Sequence, residues 1–319
     1  MLKPSLFYLI GLPGSGKSTY AKKLQKELQN EGENTIHLSS DLIRKELYGD
    51  ESCQDNPQQV FELMRFRTVE NLKKGNNVIY DATNLTRKHR IAFLKSLPKE
   101  LVCNKICIIV WAKIETCIAR DSLRERKVGM DVIKKMVSRF MTPDFEEGWD
   151  GMSVKLTDFP YKYKVLSSTL LNLPHDNSHH KPDSVLDHII RVENEVNKLC
   201  ELEKGELRTL KYLAKVHDIG KIYTKTFSNF KGEVTEDAHY YQHQNVGAYM
   251  ILGLNLSTEP YNPTTEDQCL NEGQLLYLSY LTLLHMEPFF KNPSKCWKDA
   301  DEDIKHLLYL FNKCDKLGA

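Results

Sequence analysis

Leu6-Phe7-Tyr8-Leu9-Ile10-Gly11-Leu12-Pro13-Gly14-Ser15-Gly16-Lys17-Ser18-Thr19 is the stretch whose reading decides the fold class. The apolar run 6–10 reads as a fully buried strand, and the residues after it fit the spacing G-x-x-x-x-G-K-[ST] in full. A helical pattern follows over 18–29, with Ala21, Leu24 and Leu28 on one side. Glycines let the backbone turn tightly enough for successive N–H groups to face phosphate oxygens, with the start of the helix behind them. In such a loop Lys17 reaches the β- and γ-phosphates and Ser18 ligates Mg²⁺, while Gly14, Ser15, Gly16 and Thr19 complete the cradle. A nucleoside triphosphate and Mg²⁺ are the expected ligands. The motif is silent on what receives the phosphate.

Outward from that loop, 35–38, 78–80 and 106–111 are further strand candidates, and 57–74 and 87–97 read as helices. Apolar strands alternating with helices predict an α/β unit with a parallel sheet covered on both faces. The segment 114–140 is helical and strongly charged. Ser39-Ser40-Asp41-Leu42-Ile43-Arg44 follows the second strand, where a carboxylate at the C-terminal edge faces the ligand crevice. Asp41 there either caps the next helix or takes a proton from an attacking hydroxyl, and Arg44, one turn on, suits an acceptor phosphate. Asp81 ends the third strand and can orient Mg²⁺ or the loop, with Thr83 and Asn84 as polar contacts. Arg120, Arg124 and Arg126 share one charged helical segment; their spacing suits a triphosphate, and equally a solvated basic face.

Composition sets the outer bounds. A chain of 319 residues holds about two domains, and 41% hydrophobic with 27% charged residues excludes wholesale disorder. In the first half the longest apolar run, 106–112, falls far short of the ~20 residues of a membrane span. The run 6–10 is too short for the core of a signal peptide, so a cytoplasmic protein is expected. Eight cysteines without a CxxC pair read as reduced, mostly buried thiols. The net charge of +1 hides an asymmetry: residues 1–166 carry 28 Lys+Arg against 21 Asp+Glu, and residues 167–319 carry 16 against 22. A basic front half is compatible with a polyanionic ligand. Nine of the eleven histidines lie between 175 and 306, which is what a metal site in the back half produces.

The polar segment 171–182, bounded by Pro174 and Pro182, is the best linker. It divides the chain into a front domain 1–168, a linker 169–182 and a back domain 183–319. His175, His179 and His180 fall in the linker and read as solvent-exposed. The back half shows no convincing strand periodicity and is expected to be all-α, with Asp183 as a helix cap. Its helices each deliver a polar group at spacings of three, four and seven from apolar neighbours: His188, His217 with Asp218, His243, His285 and Asp315. An inward aspartate is costly unless paired or metal-bound, and five helices converging such groups on one core predict a divalent metal site. His239, four before His243, is an alternative to it.

Two resemblances sharpen these expectations. The segments GLPGSGKST, SSDLIRKEL, YDATNLTRKHR and RDSLRERKVGMDVIKKM resemble the P-loop polynucleotide 5′-kinases over residues 6 to about 150. That resemblance implies Asp41 as general base, Arg44 as an acceptor clamp, and Arg120 and Arg124 as lid contacts to ATP. The order H…HD…H…H…D, with Ile219-Gly220-Lys221 completing HDIGK, resembles the HD-domain metal-dependent phosphohydrolases over 183–317. It implies His188, His217, Asp218, His243, His285 and Asp315 as ligands of Mn²⁺, Ni²⁺, Co²⁺ or Zn²⁺, with Asp218 able to bridge two ions and Lys221 near the scissile phosphate. Val246-Gly247-Ala248 after His243 fits that family's helix, so the resemblance favours His243, and His239 stays open. The pairing resembles bifunctional end-healing proteins, in which the phosphohydrolase part precedes the kinase; here the order is reversed. Its implied substrates are RNA or DNA ends carrying a 5′-hydroxyl and a 2′,3′-cyclic phosphate or phosphomonoester, with a separate ligase needed for sealing and no membrane involved. The rival expectations are a metabolite or nucleoside kinase fused to a nucleotide phosphohydrolase, and a nucleotide-sensing regulator without turnover.

Overall fold

The computed structural model describes residues 3–176, 183–256 and 270–319; His179, His180 and Cys269 lie outside them. The chain divides into two compact units. One holds the residues up to Met136 with Pro143–Phe159, and the other holds Val137–Thr142 with Pro160–Ala319. Among the described residues no helix is long and apolar enough to cross a membrane.

In the first unit β1 (Ser5–Ile10), α1 (Lys17–Asn30), β2 (Thr35–Ser39), α2 (Ser40–Tyr48), α3 (Pro57–Lys73) and β3 (Asn77–Asp81) are followed by α4 (Arg87–Lys95), β4 (Asn104–Trp111), α5 (Ile114–Ser122), α6 (Met130–Val137) and β5 (Gly151–Leu156). The strands form one parallel sheet in the order β2-β3-β1-β4-β5. Leu9 and Ser39 both pair with Asp81, so the C-terminal ends of β1, β2 and β3 are level. Asp81, the loop after β1 and the start of α2 therefore share one sheet edge. Leu9, Ile79, Ile108 and Val110 pack with Ala21 of α1 into a buried cluster, which is why these strands read as continuous apolar runs.

Two expectations for this unit need correcting. The charged segment 114–140 is two helices, because the Asp121 carboxylate accepts from Val128 N and Gly129 N, each at 2.9 Å, and folds the intervening loop back. The strand β5 went unread because it is a sheet edge with only Val154 buried, so its sequence lacks an apolar run.

The second unit contains β6 (Tyr161–Lys162), α7 (Tyr163–Leu171), α8 (Val185–Val196), α9 (Lys204–Val216), α10 (Lys221–Thr224), β7 (Lys225–Ser228) and β8 (Val234–Tyr240). After these come α11 (His243–Ile251), β9 (Leu254–Asn255), α12 (Glu272–Leu284), α13 (Lys295–Asp299) and α14 (Glu302–Gly318). It is not all-α: β7 and β8 form an antiparallel hairpin, and β6 pairs with β9. The hairpin strands are half-buried or exposed, with Ala238 their one buried residue, so no alternation marks them. The cap of α8 is Ser184 rather than Asp183. Ser184 Oγ accepts from Asp187 N at 3.2 Å, and Asp187 Oδ2 accepts from Ser184 N at 3.1 Å, a reciprocal capping box. The segment expected as a linker begins inside the last turn of α7, and beyond that helix Pro174 bridges to Ser184. His175 is fully buried there, contrary to the expected exposure.

Candidate functional site

The loop between β1 and α1 is held open by its glycines. Gly14 has φ +79° and Gly16 has φ +89°, the left-handed region that favours glycine. The Ser15 hydroxyl is buried with no hydrogen-bond partner among the described residues. Lys17 Nζ donates to Leu12 O at 2.7 Å, which lays the side chain back over the loop; burial lowers its pKa. Thr157 Oγ1 lies 2.7 Å from Ser15 O, and the Arg120 guanidinium spans Gly14 O (3.3 Å), Thr157 Oγ1 (3.1 Å) and Thr157 O (2.8 Å). Arg120 is thus fastened to the loop backbone. Arg124 is exposed and close enough for its charge to lower the Lys17 pKa further.

Asp81 sits beneath this loop. His37 Nε2 on β2 lies 3.1 Å from Asp81 Oδ2. Burial works to raise the Asp81 carboxyl, but the bond to His37, the Lys17 charge and a bond from Ser18 together hold it below its ordinary value. Asp41, half-exposed at the start of α2, accepts from Arg44 Nη1 at 2.9 Å, while the rest of Arg44 is buried and its Nε has no partner among the described residues. Arg126 Nη1 reaches Glu51 O at 2.5 Å and lies 4.0 Å from Asp41. Asn84, at φ +50°, clamps β1 by donating to Leu9 O at 2.7 Å. Arg87 and Arg90 from the same loop-and-helix segment are buried ion-pair residues. Arg90 grips Glu147 through Nε (2.8 Å) and Nη2 (2.6 Å), and Arg87 Nε meets Asp144 at 2.9 Å.

In the second unit the expected histidines and aspartates converge. His188 Nε2 lies 3.1 Å from Asp315, 3.6 Å from Asp218 and 3.3 Å from His217 Nε2. Asp218 is also 3.3 Å from His217 Nε2 and 3.4 Å from His243 Nε2, and His243 faces His285 at 3.3 Å, Nε2 to Nε2. Two ligand-like trios emerge, His188–His217–Asp218 and Asp218–His243–His285, all buried, with Asp218 common to both. His239 stands apart on β8, opposite Thr226 and stacked on Tyr241.

A cation fits this donor set. Each imidazole meets a backbone carbonyl through Nδ1: His188 to Gly318 O (3.1 Å), His217 to Ala214 O (2.9 Å), His243 to Tyr240 O (2.9 Å) and His285 to Thr282 O (2.6 Å). A carbonyl can only accept, so in the neutral rings the proton sits on Nδ1 and the Nε2 lone pairs point at one another. Facing lone pairs without a proton between them are unfavourable, and a divalent ion removes that conflict. Burial, more than any neighbour, pushes His243 down to about 4 and His285 down to about 3, keeping both neutral. On Asp218 the upward push of burial is overcome by Lys221, 2.7 Å away, and by His217, and its carboxyl lies well below the usual range. Asp315, buried but bonded to His188, lies at about 2.

Residues 6–143 match the family model described as an AAA domain. The front unit is a kinase-type P-loop domain. Over 151 residues the chain is 32% identical to the L-seryl-tRNA(Sec) kinase of Methanococcus maripaludis, covering 46% of this chain and 56% of that protein. The chain thus spans about half the length of that curated relative. Among solved structures, the Pnkp1/Rnl/Hen1 RNA repair complex is 22% identical, covers 44% of each chain and has a TM-score of 0.37. The APS kinase CysC of Mycobacterium tuberculosis, in complex with AMPPNP and APS, is 16% identical, covers 48% of this chain and 90% of its own, with a TM-score of 0.37.

Sequence reasoning missed three residues of the P-loop domain and its companion site: His37, Thr157 and His175. His37 left one signal, a polar residue inside an apolar strand. Thr157 follows an unread edge strand and left none. His175 was discounted by its polar, proline-flanked neighbourhood.

Proposed function

We propose that the chain is a two-site enzyme of nucleic-acid ends. Its front site moves the γ-phosphoryl group of ATP to a 5′-hydroxyl, and its back site, an HD-type centre within 183–319, hydrolyses a 2′,3′-cyclic phosphate or phosphomonoester. The observation that carries the reading is the pair of buried trios sharing Asp218, since a kinase alone has no use for them.

In the front site the loop amides and Lys17 bind the phosphates, and Arg124 adds charge from the exposed side. Ser18 and Asp81 would hold Mg²⁺, which when bound neutralises charge developing on the phosphoryl oxygens. Asp41 takes the proton of the acceptor hydroxyl, and Arg44, already paired with Asp41, orients it and meets the acceptor phosphate. Arg120 works through the loop backbone, keeping Gly14 and Thr157 in place.

In the back site His188, His217, Asp218 and Asp315 would hold one divalent ion, and Asp218, His243 and His285 a second. Such ions, when bound, polarise a phosphoester and supply a nucleophile at neutral pH. Lys221 keeps Asp218 ionised between them.

Labelled ATP offered to a 5′-hydroxyl oligonucleotide and to nucleosides tests the front reading. Label confined to nucleosides would replace it with a metabolite kinase. Similarity to a seryl-tRNA kinase favours an RNA-borne hydroxyl over a free nucleoside, and a seryl-tRNA acceptor belongs in the same assay.

A further inference from the structure

The strap 172–176 is tied down on every side. His175 N donates to Asp183 O at 3.1 Å, Tyr240 Oη donates to His175 O at 2.5 Å, Lys225 Nζ donates to Pro174 O and Asp176 Oδ2 at 2.6 Å each, and Ala238 N donates to Asp176 O at 2.7 Å. These bonds carry the His175 ring, 0% exposed, edge-on to His188 at 5.4 Å between centroids. Its Nε2 lies 3.2 Å from Lys221 Nζ. The same ammonium lies 2.7 Å from Asp218 Oδ2 and over the Tyr240 ring at 5.1 Å.

An ammonium has three N–H donors and no lone pair. At Lys221 the carboxylate, the imidazole and the aromatic face engage it from three directions. We infer that His175 is a positioning residue of the back site: its Nε2 accepts from Lys221 and fixes the ammonium against Asp218. An ammonium at 3.2 Å also places a positive charge where a metal ligand would need a cation of its own, so His175 is not a ligand. Lys221 accordingly acts on Asp218 rather than as a free phosphate contact. The inference rests on the hydrolytic reading only for its effect on turnover.

The test uses full-length protein labelled with ¹⁵N-lysine, read by the ammonium signal of Lys221, which Lys221→Arg identifies by its loss. Manganese-dependent hydrolysis of bis(p-nitrophenyl) phosphate and bound-metal content are measured on the same samples. His175→Ala should erase the ammonium signal and lower kcat by about tenfold or more, with KM within about twofold and metal content unchanged. His175→Gln, whose Oε1 can take the place of Nε2, should restore both. An intact signal and wild-type kcat in His175→Ala overturn the inference, and so does loss of bound manganese, which would make His175 a ligand. If His175→Ala does not fold, His175→Asn, whose amide is too short to reach Lys221, takes its place. If the wild type hydrolyses nothing, the hydrolytic reading falls while the ammonium signal still decides the role of His175.

Discussion

At Gly14 a methyl group would lie 2.3 Å from Cys117 O, on a backbone at φ +79°. Gly14→Ala must therefore either distort the phosphate loop or displace α5. We expect at least a tenfold loss of ATP affinity by calorimetry, about 1.4 kcal/mol or more, with little change in hydrolysis at the back site. The imidazoles of the back site give a second residue-level prediction. His243 and His285 titrate at about 4 and about 3 in the fold, below the 6.5 of a free histidine. The unfolded chain therefore takes up protons first as the pH falls, and the metal-free protein loses stability from about pH 6.5 downward; His243 alone accounts for about 3 kcal/mol. Burial on His217 is outweighed by Asp218, so its pKa is raised; its contribution changes above 6.5 and leaves this slope alone. Thermal unfolding in chelator across pH 7 to 4 should show a falling Tm, and a flat profile contradicts the assignment of neutral, buried rings. At this scale the ligand-like residues were legible because each sits three, four or seven places from apolar neighbours. His175 was not, since its burial comes from bonds to β8 and Asp183, distant in sequence or hidden in a polar stretch.

Elements are held by a few close approaches. Gly220 opens α10, where a Cβ would lie 2.0 Å from His243 O and 2.6 Å from Gly247 N. Only a residue without a side chain lets α10 lie against α11, and that approach carries both Lys221 and His243 into the cluster. Gly220→Ala should cost more than about 2 kcal/mol in chemical denaturation of the back unit and abolish its metal binding. Wild-type metal content in that variant would show that the approach is not needed. In the front unit Arg90, fully buried, pins α4 through its two bonds to Glu147. Arg90→Met strands a buried carboxylate and should destabilise by about 3–5 kcal/mol; denaturant titration measures it, and a loss under 1 kcal/mol would argue that Glu147 finds another partner. The central strands were readable because both their faces are buried. The edge strand β5 and the hairpin β7–β8 were not, because each buries only one side chain, Val154 and Ala238, and leaves the rest half-buried or exposed. The hairpin did leave a turn signal, Asn229 to Gly232, where Asn229 Oδ1 accepts from Lys231 N and Glu233 N at 2.9 and 3.0 Å.

On the scale of the whole chain, the front phosphate loop and the back histidine–aspartate cluster belong to different units, and among the described residues the two share no side chain. The charge asymmetry seen in the sequence follows this division. The two chemistries we propose should therefore separate by mutation. The most direct measurement is end analysis of an RNA bearing a 5′-hydroxyl and a 2′,3′-cyclic phosphate, incubated with ATP, Mg²⁺ and Mn²⁺ and with wild type, Lys17→Ala or Asp218→Ala. We predict that wild type changes both ends, Lys17→Ala only the cyclic phosphate, and Asp218→Ala only the 5′ end. A cyclic phosphate left untouched by the wild-type protein, or one substitution silencing both ends of the RNA in a folded chain, contradicts the two-site account.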